Sequence, residues 1–204
     1  MADIKTINGI SRVSTVNGIS TQSVMLATGQ TTSYVDYDDG YYEKGIVKAY
    51  TVLTAGQYSG TTNITLNGKT DAHSNNAVVD NNTGLMWSRY VSASVGTSSN
   101  GNLPWTTNVN GEGIFAFCAA ANAASLGGYT DWRVPNFMEL ISLIDGEPST
   151  GAPDVTAFPN GISTCWTSSV LTTDVTKALV IFLSGQSLYS ALKTADARVI
   201  LVRG

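Results

Sequence analysis

The stretch 126–145, LGGYTDWRVPNFMELISLID, decides how the rest of the chain is read. Pro135 disfavours the helical region at Val134, so the residues before it are extended. Asn136 is a favoured N-cap and Glu139 stands three residues later, the spacing of a capping box with Asn in the Ser/Thr place. Phe137, Leu140, Ile141 and Ile144 recur at helical spacing, and Gly146 follows as a stop. A strand that feeds straight into a capped helix needs Trp132 for apolar area, Arg133 as a planar fork for carboxylates or helix carbonyls, and Pro135 and Asn136 for the helix start. Those demands are geometric, so Asp131, Trp132 and Arg133 read as structural residues rather than an active site.

Before this stretch, residues 112–126, EGIFAFCAAANAASL, place Ile114, Phe117, Cys118 and Ala121 on one helical face, and Gly127 and Gly128 suit a left-handed cap. Beyond it, Thr164–Val170, Ala178–Leu183 and Ser187–Ala191 read as strands, the last two joined by Ser184-Gly185-Gln186. The run Val199-Ile200-Leu201-Val202 reads as a buried central strand. Upstream, 78–89 place an Asx-rich turn before an apolar strand that holds Trp87, and 92–102 form a polar loop. Ile46–Leu53 and Asn63–Leu66 are further strand candidates, the second ended by an Asn67-Gly68 turn. Residues 34–44, YVDYDDGYYEK, gather four of the nine tyrosines with Asp36, Asp38, Asp39 and Glu43. They lack the rest of a calcium loop and read as an acidic, aromatic turn, with no calcium dependence expected.

The amino-terminal residues carry a repeat, INGISRVST at 7–15 and VNGISTQSV at 16–24. Each Asn-Gly marks a tight turn, and two copies are too short to bury Ile7, Ile10, Val16 and Ile19 by themselves. These four residues are therefore the expected assembly contacts, with an ordinary hairpin on the body as the competing reading. Gly29 to Ser33 read as a flexible joint. The expected organisation is an arm over 1–33, a β-rich segment over 34–75 and a compact domain over 76–204.

Composition narrows the function classes. Only 13% of the 204 residues are charged, about half the usual share, so hydroxyl and amide groups must cover the surface, as in extracellular and virion β proteins. The 11 basic residues are scattered and the net charge is -4, which argues against nucleic acid as a partner. No apolar run reaches the length of a membrane span, and the first residues lack the features of a secretion signal, so the expectation is a protein made and kept in a host cytoplasm until lysis. His73 has no second histidine to share a zinc site, and no nucleophile elbow, phosphate loop or dinucleotide fingerprint occurs. Glu112, Glu139 and Glu147 do not define a catalytic pair by spacing. No catalytic residue, metal or cofactor is expected. Cys118 and Cys165 read as small buried hydrophobes, with a bridge between them left open.

TGLMWSR at 83–89, the helix with Cys118, DWRVPN-x-x-EL within 126–145, CWTSS at 165–169 and the closing VRG at 202–204 together resemble the Lcl C-terminal domain family. The resemblance spans about 76–204 and implies a compact α+β adhesin-type domain of cell-surface and phage proteins, with no established catalytic chemistry. Members commonly carry a Cys before the closing VRG; Leu201 stands there in this chain. The INGIS arm is similar to amino-terminal segments of phage virion proteins. The expected fold is α+β, a twisted, mostly antiparallel sheet with two helices, C-type lectin-like, plus an extended amino-terminal arm. The expected role is a phage virion adhesion protein, a tail fibre or receptor-binding module, with a capsid or tail decoration protein as the alternative and a glycan-active enzyme behind both. The arm would bind other virion proteins, the body a host-surface glycan or protein, and the assembly would be a homotrimer or another homo-oligomer. Trp105 and Tyr189 are the candidate sugar-stacking residues, Trp105 having a packed loop anchor as its competing reading.

Overall fold

The computed structural model describes residues 4–7, 10–13, 15–16, 19–20, 26–43, 45–53, 61–74, 77–89, 92, 95, 101–146, 153–159 and 164–204. The arm forms two hairpins, β1 (Ile4–Ile7) with β2 (Ile10–Val13) and β3 (Thr15–Val16) with β4 (Ile19–Ser20). Their registers set Ile7 opposite Ile10 and Val16 opposite Ile19, each pair separated by an Asn-Gly that itself falls outside the described residues. Among the described residues these strands pair only with each other. The side chains of the four expected assembly residues also fall outside the described residues.

Then come α1 (Asp39–Tyr42), β5 (Tyr50–Val52), β6 (Thr61–Leu66), β7 (Lys69–Ser74), β8 (Ala77–Asp80) and β9 (Met86–Ser88). β6 and β7 make a hairpin whose register closes at Leu66 and Lys69, with Asn67 (φ 51°) and Gly68 (φ 73°) both left-handed, as a two-residue turn matched to strand twist requires. The strand candidate at 46–53 is realised only over β5. Next are β10 (Leu103–Pro104), α2 (Ile114–Ala123), α3 (Phe137–Ile141), β11 (Thr164–Val170), β12 (Lys177–Phe182), β13 (Ser187–Leu192), β14 (Asp196–Ala197) and β15 (Val202–Arg203).

The fold is α+β with mostly antiparallel pairing and a few short helices, consistent with a lectin-like architecture. In place of one sheet there are several: a four-stranded sheet in the order β15-β9-β8-β5, a three-stranded sheet β11-β12-β13, and two-stranded ribbons. Strand periodicity explains the core. Trp166 and Val180 enter one apolar cluster while their chain neighbours Cys165 and Ile181 enter the other. The three-stranded sheet is thus covered on both faces, which is why β12 reads as the nearly continuous apolar run KALVIF. The segment 34–75 shares this core: β5 pairs with β8, and Ile64 of β6 is fully buried with Phe117 and Trp132.

The run 199–202 differs from its expectation as a central strand. All four residues are fully buried, Val199 and Leu201 in one cluster and Ile200 and Val202 in the other, yet only Val202 belongs to a strand, β15, at the edge of its sheet. Two serines replace the missing ladder. Ser88 Oγ accepts from Leu201 N–H (2.9 Å) and Ser92 Oγ from Val199 N–H (3.3 Å), while the N–H groups of Ser88 and Ser92 donate to the Leu201 and Val199 carbonyls. Buried backbone needs partners, and hydroxyls four residues apart supply them.

α2 buries its expected face, Ile114, Phe117, Cys118 and Ala121, whereas of the face expected for the second helix only Leu140 is buried and Phe137, Ile141 and Ile144 are half-buried. Two ends differ. The left-handed step after α2 falls first on Ser125 (φ 52°), and Gly127 and Gly128 belong to a following 3-10 turn. α3 stops at Ile141, well before Gly146, so the deeply buried residue beyond it is Leu143 rather than Ile144.

The stretch 29–33, expected as a joint, continues a seated segment. Ala27 N–H donates to the Ile46 carbonyl (2.9 Å), Lys48 Nζ to the Ala27 carbonyl (2.8 Å) and Gly146 N–H to the Thr28 carbonyl (2.5 Å). Among the described residues, docking on the body is therefore in place from Leu26. A chain starting at Leu26 is expected to melt within about 2 °C of the full chain, whereas one starting at Thr31 strands the half-buried Lys48 and melts several degrees lower. Differential scanning calorimetry on both separates the cases; equal melting would return the boundary to residue 31.

Candidate ligand-binding surface

The residues that identify the domain are spent on holding it together. Asn136 Oδ1 accepts from Glu139 N–H (2.9 Å) and Glu139 accepts in turn from Asn136 N–H (2.8 Å), a complete capping box. Arg133 grips the same carboxylate with two bonds of 2.7 Å. Burial works to raise the Glu139 carboxyl, but Arg133 and the Asn136 N–H outweigh it and hold it below its usual value. Asp131 pairs with Arg203 (2.6 and 3.0 Å), whose hydrogen bonds lower its carboxyl, and the Arg203 guanidinium lies 3.7 Å from the centre of the Tyr129 ring. Arg133 and Val202 exchange backbone bonds of 2.8 and 2.9 Å. The DWR and VRG segments are therefore two halves of one buckle.

Three indoles act as pins. Trp132 Nε1 donates to Leu126 O (2.7 Å), Trp166 Nε1 to Leu103 O (2.9 Å) and Trp105 Nε1 to Thr167 O (2.8 Å). Trp105 follows β10 and is half-buried. The Phe115 ring meets it edge-on at 4.8 Å, and Lys193 Nζ sits 4.3 Å from its centre. Phe115 and Lys193 thus occupy its flanks. Phe115, 41% exposed on the outer side of α2, is the ring that this group turns to solvent. Nothing in the sequence singled it out, because an apolar residue off the buried helical face has no local mark.

Tyr189 lies on β13 opposite Val180, on the face of the sheet that carries Trp166. It is 44% exposed; Leu188 and Leu192, exposed as well, point to the opposite face of this edge strand, Leu188 standing opposite Ile181. Trp105 and Tyr189 share the Trp166 side of the sheet, but among the described residues their rings do not meet. Among the groups that the domain offers to solvent are this apolar margin along the edge strand β13 and Phe115, with the Lys193 ammonium against Trp105.

Among the described residues the acidic candidates form no catalytic arrangement. Glu112 accepts from Lys69 (3.1 Å) and Asn108 (3.1 Å), Glu139 is held by Arg133, and Glu147 lies outside the described residues. Among the described residues no group of three or more His, Cys, Asp or Glu side chains is placed to hold a metal ion, and no helix is long and apolar enough to cross a membrane.

Cys118 and Cys165 are both free and sit in different clusters, on opposite sides of the sheet. Burial pushes the Cys118 thiol up to about 11 and the Cys165 thiol up to about 12. Neither thiol is expected to react with an aromatic disulfide reagent at about pH 8 until urea unfolds the chain. Rapid release of one equivalent from the native protein would show that a thiol is accessible.

The chain matches no curated protein and no solved structure. The family model of the Lcl C-terminal domain matches residues 76–203, the span that holds both halves of the buckle, all three pins and β13. The chain thus belongs to the Lcl C-terminal domain family, an adhesin-type module without catalytic chemistry.

Proposed function

We propose that the protein is an adhesion component of a phage particle, a tail-fibre or receptor-binding module, whose body displays the β13 margin to a host-surface glycan or protein. The observation that carries this reading is the division of labour in the domain. Its signature residues Asp131, Trp132, Arg133, Glu139 and Arg203 are consumed by internal bonds, while Phe115, Leu188, Tyr189 and Leu192 remain exposed. Exposed apolar side chains grouped along one sheet edge fit a contact site. Aromatic rings beside a single ammonium suit a sugar ring with polar substituents. The doubled Asn-Gly-Ile arm supports attachment to other virion proteins. A homotrimer would turn weak individual sites into useful avidity.

A glycan array probed with the full chain tests this. Saturable binding to a defined sugar, lost in Tyr189→Ser or Phe115→Ser with unchanged melting, supports the receptor-binding role. Electron micrographs that show the protein coating a head or tail, together with no binding to any glycan or host surface, would favour a decoration role instead.

A further inference from the structure

A second exposed surface lies outside the matched domain. Within residues 34–43, Tyr34, Val35, Tyr37, Tyr41 and Tyr42 are all exposed, Tyr34 and Tyr37 at 74% and 73%. Three of the rings pack on one another, with centroids 5.6 Å (Tyr37–Tyr41), 6.3 Å (Tyr37–Tyr42) and 5.2 Å (Tyr41–Tyr42) apart. Chains seldom leave so much aromatic area in water without a partner for it.

The knob is built rather than loose. Asp38 caps α1, one carboxylate oxygen accepting from Tyr41 N–H (2.8 Å) and the other from Tyr34 N–H (2.7 Å) and Val35 N–H (3.3 Å). Thr28 Oγ1 donates to Asp39, tying the turn to the seated segment. Gly40 lies so close to the Thr32 carbonyl that no side chain fits there. Tyr37 adopts φ 75°, a left-handed conformation that glycine or asparagine takes at much lower cost than tyrosine. A strained position that keeps a large exposed ring, where a smaller residue folds more readily, points to a use for the ring.

The charge of the knob selects the partner. Residues 34–44 contain four acidic residues, Asp36, Asp38, Asp39 and Glu43, against the single basic residue Lys44 at their end. Tyrosine faces and carboxylates both attract cations, and a guanidinium satisfies both at once by stacking on a ring and hydrogen-bonding a carboxylate in its own plane. The three packed rings are tilted to one another by 36° to 88°, which leaves no flat platform wider than one ring for a chain of sugars. We infer that the 34–43 knob is a docking site for an arginine-bearing segment of a partner protein, distinct from the β13 margin.

The test uses the full chain and calorimetric titration at about 0.15 M salt, where long-range attraction is screened. The probe is the peptide acetyl-Gly-Arg-Gly-Arg-Gly-amide, with lysine and citrulline versions as comparisons. The arginine peptide is expected to bind, the lysine peptide at least about threefold more weakly and the citrulline peptide not at all. Tyr37→Asn is expected to melt within about 2 °C of the parent or above it, since it relieves the left-handed strain, and to lose about tenfold in affinity. Tyr41→Ser, which leaves the backbone unstrained, should show the same loss. Equal binding of the arginine and lysine peptides with no loss in either variant would reduce the effect to general attraction and overturn the inference. A large fall in melting temperature for Tyr37→Asn would make the ring structural and overturn it too, as would loss of glycan binding in these variants without loss of the peptide. Glycan-array results at β13 do not bear on this outcome, so the two proposals fail separately.

Discussion

Trp132→Ala is expected to lower the stability of the fold by about 3–5 kcal/mol, the range for removing a large aromatic from a packed core. The ring is 3% exposed and packs in the same cluster as Phe117, Trp166 and Leu201. It also holds the turn after α2 through its 2.7 Å bond to Leu126 O. Trp132→Phe separates the two roles: it keeps most of the apolar area, loses that bond, and should cost only about 1–2 kcal/mol. Urea unfolding of the three proteins provides the measurement. If Trp132→Ala stays as stable as the parent and loses ligand binding, the residue belongs to a site and the buckle has been misassigned.

Asn122→Leu comes second, at about 2–3 kcal/mol. Asn122 projects from α2 and clamps the backbone of Trp132 from both sides, Oδ1 accepting its N–H (2.8 Å) and Nδ2 donating to its carbonyl (2.8 Å). Leucine suits a helix at least as well as asparagine, so the loss does not come from helix propensity. The Trp132 carbonyl retains the Cys118 thiol as donor (3.1 Å), whereas the Trp132 N–H is left with no acceptor, and that orphan carries most of the cost. Because both substitutions loosen the seating of residue 132, one at its backbone and one at its ring, the double variant Trp132→Ala, Asn122→Leu should lose less than the sum of the two. Strict additivity in the same unfolding experiment would show that the clamp and the ring work independently.

The parts of the fold that could be read in advance are those with local causes. The capping box at Asn136 and Glu139 formed as spaced, since its bonds span three residues. Thr164–Val170 appeared as a strand over its expected length, and the Asn67-Gly68 turn set the register of β6 and β7. The misread features answer to distant residues. Whether 199–202 became a ladder strand was decided by where Ser88 and Ser92 lie, more than a hundred positions earlier. α3 ended at Ile141, five residues before the glycine expected to stop it, and Leu143 beyond its end is fully buried. The candidate surface was legible in part. Tyr189 could be named as an exposed aromatic on a strand, but Phe115 emerged only once α2 had turned its other face to the core. That the Trp105 indole is hemmed in by Phe115 and Lys193 depends on residues 10 and 88 positions away.

Local signals along the chain were enough for the α+β class, the family of residues 76–203, the face that α2 buries and the start of α3, because propensity, periodicity and capping act within a few residues. Contacts between distant segments settled the pairing of Asp131 with Arg203, the separation of Cys118 from Cys165 by the three-stranded sheet, the seating of Leu26–Gln30 on the body, and the gathering of Tyr37, Tyr41 and Tyr42 into one knob. Each of those depends on which surfaces meet once the apolar clusters have closed. Burial is non-directional, and no short stretch of sequence encodes its partner.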